Sequence, residues 1–209
     1  MRLFIKEYRS SENEEVVLLL DSNGIPLLLP NRFVFSAYRL RGLSSQTIKH
    51  ALRAISLAHR WAFLNGLNFD KLVFDHVELQ PHQADDLADF LSYSAHARAL
   101  IAEGRLAVYG RSQTKASKET IYIGDQEYAN RLRFVARYVE WMLEERAQQR
   151  ANTNERSIAT IRLAINVLRR RAPRLAPKHV NEKLEAVDEC IVEKIALTLH
   201  PDSPLTSSP

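Results

Sequence analysis

Apolar residues recur along most of the chain at the spacing of amphipathic helices, after an N-terminal stretch where they alternate with polar residues or form short runs. The N-terminal stretch predicts three short strands, at residues 2–8, 15–21 and 25–29. The helical spacing predicts helices at residues 31–40, 46–65, 81–103, 125–146, 155–171 and 180–199. The sequence therefore predicts a mainly α fold, in which a helical bundle spanning residues 31–199 follows a small β-strand extension spanning residues 1–30.

Local signals mark the ends of these elements. Gly42 ends the first predicted helix, since a glycine readily adopts the left-handed backbone that closes a helix, and Ser44 or Ser45 caps the second. Residues 70–79 are interpreted as a loop or a short helix. Residues 104–124 are rich in Ser, Thr and Lys, and they are interpreted as a long basic loop.

Length and composition exclude several classes of protein. The 209 residues suffice for one large domain or two small ones, and the single cysteine, Cys190, excludes an intrachain disulfide and suits a reducing cytosol. The sequence contains no secretory signal, membrane-length apolar run, glycine-rich phosphate loop or zinc-ligand spacing. We therefore expect a cytoplasmic protein without a cofactor, metal or small-molecule substrate, with residues 200–209 as a disordered tail or linker.

One predicted helix carries basic charge without acidic charge, although the net charge of the chain is only +4. Within residues 46–65, Lys49, Arg53 and Arg60 share one stripe, and no Asp or Glu occurs between residues 31 and 69. A face of one sign repels itself, which indicates an anionic partner, with nucleic acid the first candidate. An ordinary solvated helix face is the alternative. The opposite stripe is apolar and consists of Ile48, Leu52, Ile55, Ala58 and Ala62.

Further basic and polar residues flank this stripe or lie on other predicted elements. Arg39 and Arg41 flank the turn into the basic helix, and Gln46 and Thr47 begin that helix. Three more lie in the basic loop and two on the helix predicted at residues 125–146. For the loop residues, the alternative interpretation is a flexible surface loop. For the residues on the helix at 125–146, the alternative is an ordinary solvated helix face. Together with the stripe, the candidate DNA-binding residues are Arg39, Arg41, Gln46, Thr47, Lys49, Arg53, Arg60, Arg111, Lys115, Lys118, Arg131 and Arg137.

Packing and capping residues in this region form a pattern. A first helix ends in Gly, a Ser-x-x-Thr entry follows, and the next helix ends in an aromatic residue, an apolar pair and Gly. The residues concerned are Gly42, Ser44, Thr47, Trp61 and Gly66. With this pattern, residues 31–68 resemble the start of the core-binding domain of tyrosine recombinases, the phage-integrase family. Residues 131–144 resemble a later helix of the same domain, and the resemblance extends over residues 31–199.

The resemblance implies a SAM-like helical bundle that clasps one side of double-stranded DNA, with self-association on DNA and a nucleoid-associated location. In that family a separate catalytic domain carries the nucleophilic Tyr, and this sequence stops where that domain would begin. His50 and Arg53 match the His-x-x-Arg spacing of the family's catalytic box. They lie in the core-binding resemblance, however, so we expect them at most to contact DNA.

The expected function is therefore that of the DNA-binding region of a site-specific tyrosine recombinase. It would clamp duplex DNA at the recombination core site, and this chain alone would catalyse nothing. Two alternatives stay open. One is a helical protein–protein interaction module whose basic surface meets an acidic partner, and the other is a stand-alone DNA-binding regulator.

Overall fold

A computed structural model describes residues 2–9, 14–74, 78–103, 121–149 and 155–174, all within one compact unit. An antiparallel hairpin at the N-terminus consists of β1 (Phe4–Arg9) and β2 (Glu15–Leu20). The helices of the described residues are α1 (Leu28–Ala37), α2 (Ser45–Leu64), α3 (Phe69–Phe74), α4 (Pro81–Ser92), α5 (Ala95–Ala102), α6 (Asp125–Gln149) and α7 (Glu155–Arg171). The predicted fold class, a helical bundle after a small β segment, is confirmed.

Helix α2 is the central element of the bundle. The Oγ of Ser44 accepts a hydrogen bond of 3.3 Å from the backbone N–H of Thr47, which begins the helix, and Gly66 follows its end with φ +68°. The predicted apolar stripe is buried, and it packs against α1, α4, α6 and the hairpin. Because this stripe faces the core, the opposite side of α2 is left to solvent.

An aromatic cluster joins α1 to α6 within the same core. The ring of Phe33 lies 5.2 Å from that of Tyr138 and 5.6 Å from that of Trp141, measured between centroids. Burying an aromatic ring of this kind stabilises the fold by roughly 1.5–3 kcal/mol. Val17 and Leu19 of β2 are buried in the hydrophobic core that contains these rings. The hairpin therefore shares the core of the helices.

The third predicted strand, at residues 25–29, is wrong. Helix α1 begins at Leu28, and Pro26 forms only an isolated bridge with Leu20. The side chain of Asn31 donates to the carbonyl oxygens of Leu19 and Leu27, at 2.8 and 2.7 Å, which fastens the first turn of α1 to β2. A short apolar run does not distinguish strand from helix, and here contacts between distant residues decide.

The single helix predicted at residues 81–103 is also wrong, because α4 and α5 are separate. Between them Tyr93 is extended, and Ser94 caps α5 by accepting a hydrogen bond of 3.2 Å from the N–H of Ala97. The N–H of Ser94 donates to the carbonyl oxygen of Ile121 at 2.7 Å. Pairing with a segment far along the chain therefore breaks the helix.

The remaining predictions differ from the structure in smaller ways or lie outside it. The first helix ends at Ala37 and a 3-10 turn, Arg39–Arg41, continues to Gly42, whose φ is +71°. The segment predicted as a loop or short helix at 70–79 contains α3. Residues 104–120 of the basic loop, the helix predicted at 180–199 and the tail lie outside the described residues. Within the described ranges, no helix combines the length and the apolar character that a membrane span requires.

Candidate nucleic-acid interface

The exposed side of α2 forms one wall of a cleft of about 880 Å³, whose other walls come from α5 and the N-terminal part of α6. We call it the α2–α6 cleft. The packing of α2 against α6 sets this geometry, since it leaves the polar sides of both helices facing the same opening. The polar residues most relevant to its chemistry are Thr47, His50, Arg53, Arg98, Asn130 and Arg131.

Three guanidinium groups make the cleft basic. Arg53, Arg98 and Arg131 all line it, and among the described residues Glu127 is the one carboxylate that does. Burial, together with the nearby positive charges of Arg131 and Arg60, lowers the pKa of Arg98 to about 10. Arg98 therefore stays charged at neutral pH, and three arginines beside one glutamate give the described lining an excess of formal positive charge.

Two of these arginines also hold the fold together. The guanidinium of Arg98 donates to the carbonyl oxygen of Tyr93, and that of Arg131 donates to the carbonyl oxygens of Leu91 and Tyr93, at 2.9 and 3.1 Å. Arg131 also lies 2.5 Å from an Oε1 of Glu127. These bonds satisfy carbonyl groups at the C-terminus of α4, where positive charge is favourable. Arg98 and Arg131 are thus partly engaged before any partner binds.

Arg53 is in a different state. It is exposed, it lines the α2–α6 cleft, and no carboxylate within the described part of the chain pairs with it. His50 lies one turn earlier on the same side of α2, where its Nε2 is 3.2 Å from the Nε2 of Gln46. Thr47, at the start of the helix, has its Oγ1 at 3.1 Å from the Oγ of Ser44. The cleft therefore combines one unpaired cation with neighbouring hydrogen-bonding groups.

Lys49 shares the stripe of Arg53 but does not line the cleft, and acids lie beside it, against the expectation that none balances the basic stripe. Its Nζ lies 2.8 Å from an Oε2 of Glu7 and 3.1 Å from an Oε1 of Glu15, so the hairpin supplies the missing negative charge. Hydrogen bonds from Ser45 and Lys49 lower the pKa of Glu15 to about 2, and those to Glu7 and Glu15 raise the pKa of Lys49. The sequence window between residues 31 and 69 does not reveal these acids because they lie outside it.

The two candidate arginines in the turn before α2 differ in whether a carboxylate pairs with them. Arg39 pairs with Glu14, at 2.5 Å between Nη2 and Oε2, and donates to the carbonyl oxygen of Glu15 at 3.0 Å. Arg41 is exposed and has no carboxylate partner among the residues that are described. Acidic residues of the N-terminal segment therefore form ion pairs with Arg39, as they do with Lys49, while Arg41 is exposed to solvent.

The remaining candidate residues also differ in their surroundings. Arg137 is half exposed and lies 3.7 Å from an Oε2 of Glu140, a weak surface pair. Arg60 lines a second groove further along α2. Arg111, Lys115 and Lys118 lie outside the described residues.

Sequence reasoning missed Arg98 and Asn130. Arg98 lies in a region that was predicted as one continuous helix, so its position at the start of a separate α5 was hidden. Asn130 is uncharged, and a search for basic stripes does not select it. The only signal available for Asn130 was its place on the polar side of α6, four residues before Phe134 of the same cleft wall.

No family model, curated protein or solved structure matches this chain. A function for the chain is therefore proposed from its sequence together with the geometry and charge of the α2–α6 cleft.

Proposed function

We propose that this chain binds duplex DNA through the α2–α6 cleft and the exposed side of α2. The observation that carries the proposal is Arg53, which has no carboxylate partner in the described ranges and shares the cleft with Arg98, Arg131 and Glu127. Phosphate groups are the ligands that such a surface attracts most strongly, because binding also releases the counterions condensed on DNA. The positive potential would speed association as well.

The polar residues of the cleft suit contacts to bases as well as to phosphates. Asn130 and Gln126 on α6 carry amides, which pair with the edge of adenine, and Arg53 has the fork that pairs with guanine. A single α-helix fits the major groove of B-form DNA. With the hydrogen-bonding groups of Thr47 and His50 beside them, these residues give the surface the means for both positioning and readout.

Within this proposal the chain acts as the DNA-binding region of a site-specific tyrosine recombinase. The mainly helical bundle after a short β segment agrees with the core-binding fold that the resemblance implies. The residues that carry the resemblance, Gly42 to Gly66, lie on α2 or directly flank it, so resemblance and charge point to the same helix. Strand cleavage would belong to a catalytic domain, and this chain would contribute binding and positioning alone.

The binding step is tested by fluorescence anisotropy with a labelled duplex at several salt concentrations. We expect measurable binding at low salt, weakening steeply as salt rises. Arg53→Glu should weaken it by about tenfold or more. Arg162→Glu is the matched control, since Arg162 is exposed on α7 in a groove shared with Glu140 and Glu144. An absence of duplex binding at low salt, or equal losses in both variants, would contradict the proposal.

The recombinase part needs a separate test. Selection of bound sequences from a random duplex pool should enrich inverted repeats, because recombinases of this type assemble on paired half-sites. Enrichment of a single asymmetric motif would leave DNA binding intact but favour a stand-alone regulator.

A further inference from the structure

Two basic grooves join along the exposed side of α2. The second groove, which we call the Arg60 groove, has a volume of about 540 Å³ and is lined by residues of α2 and by Arg2 and Leu3 from the start of the hairpin. Ser56 and Leu57 line both this groove and the α2–α6 cleft. The two depressions are therefore neighbours that together follow α2 from its first turn to its last.

The charge along this path has one sign over most of its length. Arg2 and Arg60 line the Arg60 groove, and none of the described residues that line it is acidic. Neither arginine has a carboxylate partner within the described ranges, although the guanidinium of Arg2 lies 5.2 Å from the centre of the Phe4 ring. Including Arg53, three cations without a carboxylate partner among the described residues lie along the path.

The dimensions suit a DNA backbone. Helix α2 has 20 residues and is about 30 Å long, which matches roughly nine steps of 3.4 Å along one DNA strand. Arg53 and Arg60 are separated by about 10 Å along the helix axis, or roughly three such steps. A duplex that lies along α2 would therefore pass Arg53 first and reach Arg60 and Arg2 a few phosphates later.

Two acids of the hairpin are engaged by a lysine rather than left free beside this path. Glu7 and Glu15 pair with Lys49, one turn before Arg53 on the same stripe of α2, and neither is among the described residues that line the two grooves. The buried side chain of Leu19 and the ion pairs of Lys49 fix the hairpin on α2, which brings Arg2 beside Arg60. Acidic and basic residues of one small hairpin are thus separated, with the acids used for docking and Arg2 left at the groove.

We infer that the N-terminal hairpin is part of the DNA interface, and that Arg2 and Arg60 contact backbone phosphates at the far end of a path that begins at Arg53. The inference rests on the proposed function, since it names a second contact region for the same ligand. The hairpin then has two tasks, which are to complete the core and to lengthen the binding surface.

Charge-removing variants test the inference. We expect Arg2→Gln and Arg60→Gln each to weaken duplex binding by about three- to tenfold, and to reduce the slope of log affinity against log salt by roughly 0.9, the value of one lost phosphate contact. Arg162→Gln serves as the control and should leave the slope unchanged. Thermal unfolding of each variant shows whether the fold is kept, because these surface changes should shift stability little.

The outcomes separate the inference from the proposed function. If the unchanged chain binds no duplex at low salt, both fail. In a second outcome the chain binds duplex and Arg53→Gln reduces the slope, but Arg2→Gln and Arg60→Gln behave like Arg162→Gln. The hairpin is then not in the interface and the inference is overturned, whereas DNA binding through the cleft stands. A reduced slope for Arg2→Gln and Arg60→Gln supports the hairpin's part in the interface.

Discussion

The hydroxyl of Tyr138 donates a hydrogen bond of 2.9 Å to Oδ1 of Asp70, and this bond links α6 to α3 inside the bundle. The same oxygen lies 3.3 Å from the Nε2 of His59 on α2. His59 is buried, and its ring lies 5.4 Å from that of Phe69. Three helices therefore meet at one carboxylate beside a buried imidazole.

The buried imidazole predicts a loss of stability in mild acid. Burial lowers the pKa of His59 below 6.5, and the opposing effect of Asp70 is smaller. The unfolded chain then takes up a proton near pH 6.5 that the folded chain does not, so the free energy of unfolding falls as pH decreases below that value. The slope contributed by this group is at most about 1.4 kcal/mol per pH unit. Urea unfolding between pH 8 and 5 measures it.

The control for this prediction is His50, which is exposed on the same helix. His59→Gln should flatten the pH dependence between 6.5 and 5, and His50→Gln should leave it as it is. An equal slope in the unchanged chain and in His59→Gln would contradict the assignment.

The hydrogen bond from Tyr138 predicts a moderate cost for its removal. Tyr138→Phe keeps the ring in its cluster with Phe33 and Trp141 but removes the hydroxyl. We expect a loss of about 0.5–1.5 kcal/mol, and up to roughly 3 kcal/mol if Asp70 is left poorly solvated. Chemical denaturation at pH 7.5 gives the value. A variant as stable as the unchanged chain would show that water replaces the hydroxyl without cost.

The parts of this fold that local signals determine were predictable. Helix α2 is an example, because a capping Ser44, a helical apolar spacing and a final Gly66 all lie within or beside it. The break between α4 and α5 at Tyr93 could not be predicted in this way, since it depends on pairing with Ile121 and Tyr122. Contacts between distant residues override local preference in such cases.

The candidate site follows the same division. The exposure of Arg53 follows from its place opposite the apolar stripe of α2, and periodicity identifies that place. Periodicity does not reveal that Lys49 is neutralised, because its partner Glu15 lies 34 residues earlier in the chain. A helical wheel gives the side of a helix on which a charge lies, but it does not give the element that packs against that side.

The pairing of Lys49 with Glu15 predicts a second, more acidic transition. The pKa of Glu15 is about 2, below its usual 4.5, chiefly through hydrogen bonds from Ser45 and Lys49. The stabilisation is therefore complete above pH 4.5 and is lost as pH falls toward 2. Lys49→Met keeps the aliphatic stem and removes the charge, so it should reduce this loss. Acid titration followed by circular dichroism tests it, and an identical fall in both proteins would exclude the pair as the cause.

The same pair predicts a gain of DNA affinity when its acids are neutralised. Glu7→Gln with Glu15→Gln removes the carboxylates that hold Lys49, so its ammonium becomes available beside a surface proposed to meet phosphates. We expect duplex binding at low salt to strengthen about three- to tenfold, with the advantage declining as salt rises. Glu144→Gln, an exposed change on α6, controls for net charge. If that control raises affinity per removed charge as much as the hairpin variant does, release of Lys49 is not the cause, and the gain reflects the overall charge of the chain.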